Sequence, residues 1–287
     1  MNERVISTSN GARVTCAEYG RPGGRPLFYF HGFPGSRKQA AMTDRAAYEL
    51  GIHVVCPDRP GIGRSDFVPE RKIVDWPATV TKLADACGWD HFSVLGVSGG
   101  GPYARVCAYA LGKRVRKAVV VCGVPHYRWI EDSTEIRSDL RRAHRFVSSH
   151  QARARRVFGL LRICVGIFPS QLLLRLMLPM VKEPDRSAIT TPDRLTQMAE
   201  GAREAFAGTA EGLALDLSLL TTDWGFGPAD ISKPIHFWHG DRDQICPLTD
   251  LYENLKGVSH HRVTAVPGEG HYSLPINHNR AILESAV

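Results

Sequence analysis

Ser98 stands in Gly96-Val97-Ser98-Gly99-Gly100, a G-x-S-x-G pentapeptide. A serine hydroxyl attacks a carbonyl carbon when a base removes its proton and hydrogen-bond donors receive the negative charge that develops. The apolar run 92–96 leads into this serine, and a helix pattern opening at Pro102 follows it. The spacing therefore predicts a tight strand-to-helix turn with Ser98 at its tip. Glycines two residues to either side let strand and helix approach without Cβ clashes. Proline suits the first turn of the helix, where its missing N–H costs nothing. The helix N-terminus also favours negative charge beside Ser98. An incidental serine in a glycine-rich structural turn is the plain alternative. A phosphate-cradling loop is excluded, because neither Lys-Ser nor Lys-Thr follows the glycines.

The base has to come from twelve histidines. His271 closes Pro267-Gly268-Glu269-Gly270-His271, a flexible loop after the last apolar run, and is the best placed. The acid that would orient it lies in His239-Gly240-Asp241-Arg242-Asp243. The Gly-x-x-Asp spacing favours Asp243 and leaves Asp241 to hold the turn by bonding backbone amides. The donors are expected to be backbone N–H groups. His31-Gly32-Phe33-Pro34-Gly35-Ser36 ends an earlier apolar run with a loop able to present one, so Phe33 and Gly99 form the candidate oxyanion pair. A plain Gly-Pro turn is the alternative for that loop. Such a reaction needs no metal and no organic cofactor.

Positioning these groups requires elements that alternate along the chain. Short apolar runs at 26–30, 53–56, 92–96, 118–122, 235–238 and 262–266 read as strands buried on both faces. Residues 39–50, 73–87, 102–111 and 248–255 supply helix candidates between them, while 4–7 and 13–19 alternate like an edge hairpin. The expected fold class is α/β, a mostly parallel central sheet with helices on both faces. Between residues 125 and 232 no convincing strand occurs. Val157, Leu160, Leu161, Cys164, Val165 and Phe168 instead follow helical spacing there. The reading is a core of residues 1–125 and 231–287, with a helical cap, 126–230, inserted between two core strands. Both ends of the insertion should lie at the carboxyl edge of the sheet, so the cap is expected to act as a lid over Ser98, its apolar stripe covering the pocket mouth. Trp129, Trp224 and Phe226 flank its ends and are candidates for an apolar substrate pocket, with packing of the lid onto the core as the alternative. The apolar stretch 157–181 is interrupted by Arg162, Pro169, Arg175 and Pro179, so no membrane span is expected.

Composition narrows the remaining possibilities. The 287 residues are 43% hydrophobic and 23% charged, an ordinary globular balance. The net charge of +7 is concentrated: residues 137–175 hold nine arginines, no lysine and one acid, Asp139. No nucleic-acid-binding motif accompanies them, and a solvated helix face is the expectation. The seven cysteines show neither C-x-x-C pairs nor metal-ligand spacing and mostly sit in apolar runs, so buried reduced thiols are expected. The first residues lack the apolar stretch of a secretion signal, which points to a cytoplasmic protein.

Five segments together resemble the α/β-hydrolase superfamily, in its subgroup with a helical cap: HGFPGS (31–36), DRPGIGRSD (58–66), GVSGGGPYA (96–104), HGDRDQICP (239–247) and GEGHYSLP (268–275). Their order is the family's. The resemblance covers about residues 26–124 and 233 onward and leaves the insertion unassigned. It implies Ser98 as nucleophile, Asp243 as acid, His271 as base, and Phe33 and Gly99 as oxyanion donors, in the chain order serine, acid, histidine. Asp58-Arg59-Pro60-Gly61 is implied to be a structural turn. Gly99-Gly100-Gly101 departs from relatives that carry a bulky residue after the nucleophile, and extra space beside the donors is expected. Haloalkane dehalogenases and epoxide hydrolases of this group place aspartate at the elbow, so Ser98 points to acyl transfer. The leading expectation is hydrolysis of a carboxylic ester or lactone, with a small-molecule acyl substrate as the partner. Other serine chemistry (C–C bond hydrolysis, aminopeptidase action, perhydrolysis) and a ligand-binding receptor on the same fold remain the alternatives.

Overall fold

The computed structural model describes residues 2–8, 11–126, 133, 138–258 and 260–287. The apolar runs become one eight-stranded sheet: β1 (Asn2–Ser7), β2 (Arg13–Gly20), β3 (Arg25–Phe30), β4 (Ile52–Pro57), β5 (Phe92–Val97), β6 (Val115–Val121), β7 (Ile235–Gly240) and β8 (His261–Val266). Their spatial order is β1-β2-β4-β3-β5-β6-β7-β8. The alternating segments form the antiparallel edge, β1 on β2 and β2 on β4. All later pairings are parallel. Every residue of β4 and β5 is buried, which is why those segments read as unbroken apolar runs. β8, at the far edge, is half exposed and correspondingly mixed in sequence.

Helices cover both faces. α1 (Asp44–Glu49) packs on one side; α2 (Trp76–Ala86) and α3 (Gly101–Ala110) pack on the other. Aromatic residues set the second of these cores: Trp76 meets Phe30 and Tyr103, each edge to face at 5.5–5.7 Å. Between β6 and β7 the chain forms the inserted helical cap, with α4 (Ser138–Ser149), α5 (Gln151–Ile167), α6 (Ser170–Met177), α7 (Asp185–Ile189), α8 (Pro192–Ala207) and α9 (Ala210–Leu220). After β7 come α10 (Leu248–Asn254), α11 (Ser273–Asn277) and α12 (Asn279–Ser285).

The cap has its own small core, in which Ala154 and Phe158 of α5 meet Leu213 and Ala214 of α9. The buried face is turned by about 90° from the expected one, with Val165 of the expected stripe half-buried. Val157, Leu160, Leu161 and Phe168 are exposed, and the inward line of α5 is instead Ala154, Phe158 and Arg162, spaced i, i+4, i+8. Arg162 stays half-buried by donating its Nε–H to the Phe206 carbonyl at 3.0 Å. No single helix among the described residues is long and apolar enough to cross a membrane. α5 and the segment Ser170–Met180 reach that composition only as a pair bent by 119°.

All seven cysteines are free thiols. Five are buried as expected, but Cys164 is exposed on the outer face of α5 and Cys87 is half-buried.

Candidate active site

The turn between β5 and α3 holds Ser98 at φ +52°, in the left-handed region that L residues avoid. Two glycines permit this. A Cβ at Gly96 would lie 2.2 Å from the Gly100 carbonyl oxygen, and one at Gly100 would lie 2.0 Å from that of Phe30. The Ser98 carbonyl accepts from Val124 N–H at 3.1 Å, which ties the elbow to the chain beyond β6.

Loops after β7 and β8 bring the other two groups to it. His271 Nε2 lies 2.8 Å from Ser98 Oγ, and its Nδ1 lies 2.8 Å from Asp243 Oδ2. The second carboxylate oxygen of Asp243 accepts from the N–H groups of Ile245 (2.9 Å) and Cys246 (2.8 Å). His239 Nε2 stands 3.4 Å from Asp243 Oδ2 and donates to the Cys246 carbonyl at 2.6 Å. Burial alone would raise the Asp243 carboxyl, but His271 and His239 beside it offset this and hold it well below the usual carboxylate range. For His271, burial acts to lower the imidazole, and Asp243, aided by Asp185, overrides it, so the net shift is upward. Asp241 lies off this line: its carboxylate accepts from Gly268 N–H at 2.8 Å and joins the two loops.

The loop after β3 brings the Phe33 N–H to the elbow, and a Cβ at Gly99 would sit 3.1 Å from the Phe33 nitrogen. Among the described residues that N–H has no hydrogen-bond partner. The extra space expected beside Gly99 is absent. The same Cβ position lies 3.0 Å from Phe33 Cβ and 3.1 Å from Leu220 Cδ1, so the end of cap helix α9 fills the volume that a bulky side chain would take.

Two buried acids from the cap escaped the sequence reading. Asp216, on α9, accepts from Arg59, Arg71 and Tyr103 at 2.7–3.0 Å. Arg59 in turn donates to the carbonyls of His31 (2.5 Å) and Gly32 (3.1 Å), which fixes the loop carrying Phe33. Burial would raise Asp216, yet Arg59 and Arg71 keep it far below its usual range. The available signal was Asp216 in the apolar stretch of the helix Ala210–Leu220, beyond the first-turn Glu211. Asp185 heads α7 and caps the His271 loop. Its Oδ2 accepts from His271 N–H at 3.0 Å, and its Oδ1 from Tyr272 and Ser273 N–H at 2.8 and 2.9 Å. A Cβ at Gly270 would collide with this carboxylate at 2.4 Å. No spacing in the sequence announces that contact.

Trp224 and Phe226 are not brought to Ser98. Trp224 is buried, donates its Nε1–H to the Leu219 carbonyl at 3.1 Å and lies under the Arg105 guanidinium of α3. Phe226 stacks on Tyr109 at 5.1 Å, near the far end of α3, on the order of 12 Å along the helix from its start. Both therefore pack the cap's return segment onto the core. Trp129 lies outside the described residues. Among the described residues, Phe158 of the cap brings a ring to the loop, edge-on to Phe33 at 6.1 Å.

Among the described residues, Cys122, Asp243 and His271 are the group whose ligand atoms fall within 4.8 Å of one another, as a metal would require. Burial pushes the Cys122 thiol well up, its Sγ faces the Gly270 carbonyl at 3.7 Å, and His271 is committed on both nitrogens. A neutral thiol and an engaged imidazole are poor metal ligands.

The family described as alpha/beta hydrolase fold matches this chain over residues 25–277. A non-heme chloroperoxidase of Streptomyces lividans is 34% identical over 123 residues, 42% of this chain, and the match spans only 45% of that relative. A non-heme haloperoxidase of Rhodococcus erythropolis is 26% identical over 95% of this chain and 94% of its own. Among solved structures, a thermophilic esterase from Thermogutta terrifontis superposes with a TM-score of 0.70, covering 99% of this chain and 96% of its own at 19% identity. A likeness at that identity speaks to the fold alone.

Proposed function

Because the chain belongs to the alpha/beta hydrolase fold family, we propose that it is a serine hydrolase that cleaves a carboxylic ester or lactone through an acyl-enzyme on Ser98. The observation that carries this reading is the continuous line from Asp243 through His271 to Ser98, with both links at 2.8 Å. In this mechanism His271 Nε2 takes the Ser98 proton as Oγ attacks the ester carbonyl. The oxyanion is received by the N–H groups of Phe33 and Gly99. The protonated His271 then donates to the leaving alkoxide, and a water activated by the same imidazole releases the acid. Asp243 holds the tautomer and stabilises the imidazolium between the two transfers.

The helical insertion, residues 126–230 between core segments 1–125 and 231–287, acts as the lid in this reading. Among the described residues it brings the side chains of Leu220 beside Gly99 and Phe158 beside Phe33. Both are hydrocarbon, which favours an apolar acyl group. Perhydrolysis is a second reading, favoured by the haloperoxidase similar over nearly the full chain. There hydrogen peroxide replaces water in attacking the acyl-enzyme and leaves as a peracid.

Hydrolysis of short p-nitrophenyl esters tests the proposal. Ser98→Ala is expected to abolish it with the circular dichroism spectrum unchanged, since removing the serine of a protease triad costs on the order of 10⁶ in kcat. Turnover that survives the substitution contradicts it. Peracid formation from acetate and hydrogen peroxide, measured in parallel, separates the two readings.

A further inference from the structure

The outer face of α5, α6 and the turn that follows α6 to Met180 is apolar and uncovered. Leu160, Ile163, Ile167, Leu176 and Met180 are each 59–70% exposed, and α6 buries no residue fully. Helices of an ordinary soluble cap turn such side chains inward; here the inward line is Ala154, Phe158 and Arg162. An apolar surface of this extent marks a contact site. Its rim is basic. Arg145, Arg153, Arg155, Arg156 and Arg175 are all exposed and, among the described residues, none enters an ion pair.

We propose that this face docks on an anionic lipid surface, with the arginines at headgroup level and the apolar side chains of the bent α5–α6 pair in the upper acyl region. The bend of 119° lays the two helices along a surface and does not thread them through it. Charge selects this occupant over a second copy of the chain. A two-fold contact would bring the same unpaired arginines against themselves, whereas anionic headgroups neutralise them. The inference does not rest on the catalytic reading. It does place the docking helix directly over the candidate site, because Phe158 on its inner face touches Phe33.

Flotation of the full chain with lipid vesicles tests it. Wild type is expected to float with vesicles of equal parts phosphatidylglycerol and phosphatidylcholine, and to bind phosphatidylcholine alone about tenfold or more weakly. The double variant Ile167→Glu/Leu176→Glu and the triple variant Arg153→Glu/Arg155→Glu/Arg156→Glu should each lose the binding. All five positions are exposed, so thermal melts should match wild type. Wild type that stays in the aqueous fraction at both compositions overturns the proposal. Sedimentation velocity identifies the rival: a dimer that Ile167→Glu/Leu176→Glu converts to monomer assigns the face to a second copy. Equal binding to both vesicle types also overturns it, since the arginines would then contribute nothing.

Discussion

Replacing Asp185 with asparagine tests how the cap and the candidate site are joined. The carboxylate takes three N–H groups from consecutive residues of the His271 loop, at 2.8–3.0 Å. Asparagine keeps one oxygen, which can serve the Tyr272 and Ser273 donors that now share Oδ1. Its amide NH2 then faces the His271 N–H, donor against donor. One charge-assisted bond is lost and two become neutral, a cost of roughly 3 kcal/mol. In a chain of this size that lowers Tm by about 2–4 °C per kcal/mol. The effect on turnover should be larger in proportion, because an imidazole displaced by about 1 Å costs on the order of 10²-fold. The pH profile supplies the readout that a structural role alone would not move. His271 acts as a base only when neutral, so kcat/KM falls as pH drops through its pKa. That pKa is raised against the pull of burial by Asp243 and, in smaller part, by Asp185. Losing the Asp185 charge therefore moves the acidic limb to lower pH. Steady-state kinetics of Asp185→Asn and Asp185→Ala across the acidic limb check this. A limb that stays in place, or kcat/KM within about twofold of wild type, refutes the reasoning.

Asp243→Asn should lower kcat by on the order of 10⁴, as the equivalent change does in a serine protease triad, while Asp241→Asn, whose amide oxygen still accepts from Gly268 N–H and which gives up only the long ion pair to Arg242, should stay near wild type in the same ester assay. Asp216→Asn leaves Arg59 and Arg71 buried without their counter-charge and should cost about 3–5 kcal/mol in a urea melt. The depressed pKa values of Asp216 and Asp243 contribute stability that is full above the unfolded carboxylate pKa and is lost as pH falls below about 4, which acid titration of wild type followed by circular dichroism will show. Gly100→Ala drives a Cβ into the Phe30 carbonyl and should abolish activity or folding, whereas Gly159→Ala on exposed α5, with nothing within 4 Å, should stabilise by about 0.5–1 kcal/mol.

The sheet was legible because its strands are buried on both faces: residues 53–56 and 92–96 could be read as strands without knowing their partners. In the edge hairpin β1 alternates exposed and half-buried positions as its sequence suggests, whereas β2, after its exposed first residue, is buried at four consecutive positions despite its alternating residue types. The glycines at 96 and 100 were readable for a local reason, the contacts of a tight turn with its own chain and with β3. The orientation of α5 was not readable. The wide apolar stripe of that helix stays outward, while Ala154 and Phe158, with Arg162 in the same line, are buried against α9. Asp185 was invisible because its three donors lie 86–88 residues away. The space anticipated beside Gly99 was misjudged for the same kind of reason: the side chain that fills it, Leu220, arrives from the insertion. Trp224 and Phe226 shared their aromatic character with pocket-lining residues, but Arg105 and Tyr109 of α3 offer them complementary faces along the core.

The central claim is that Ser98 is the nucleophile, and its most direct test is covalent. A fluorophosphonate reacts with a serine activated by a neighbouring base and leaves the remaining serines of a folded protein untouched. Peptide mass spectrometry after labelling is expected to find the adduct on Ser98 alone, with labelling lost in Ser98→Ala and slowed in His271→Ala. An adduct on another residue, or undiminished labelling of Ser98→Ala, contradicts the account.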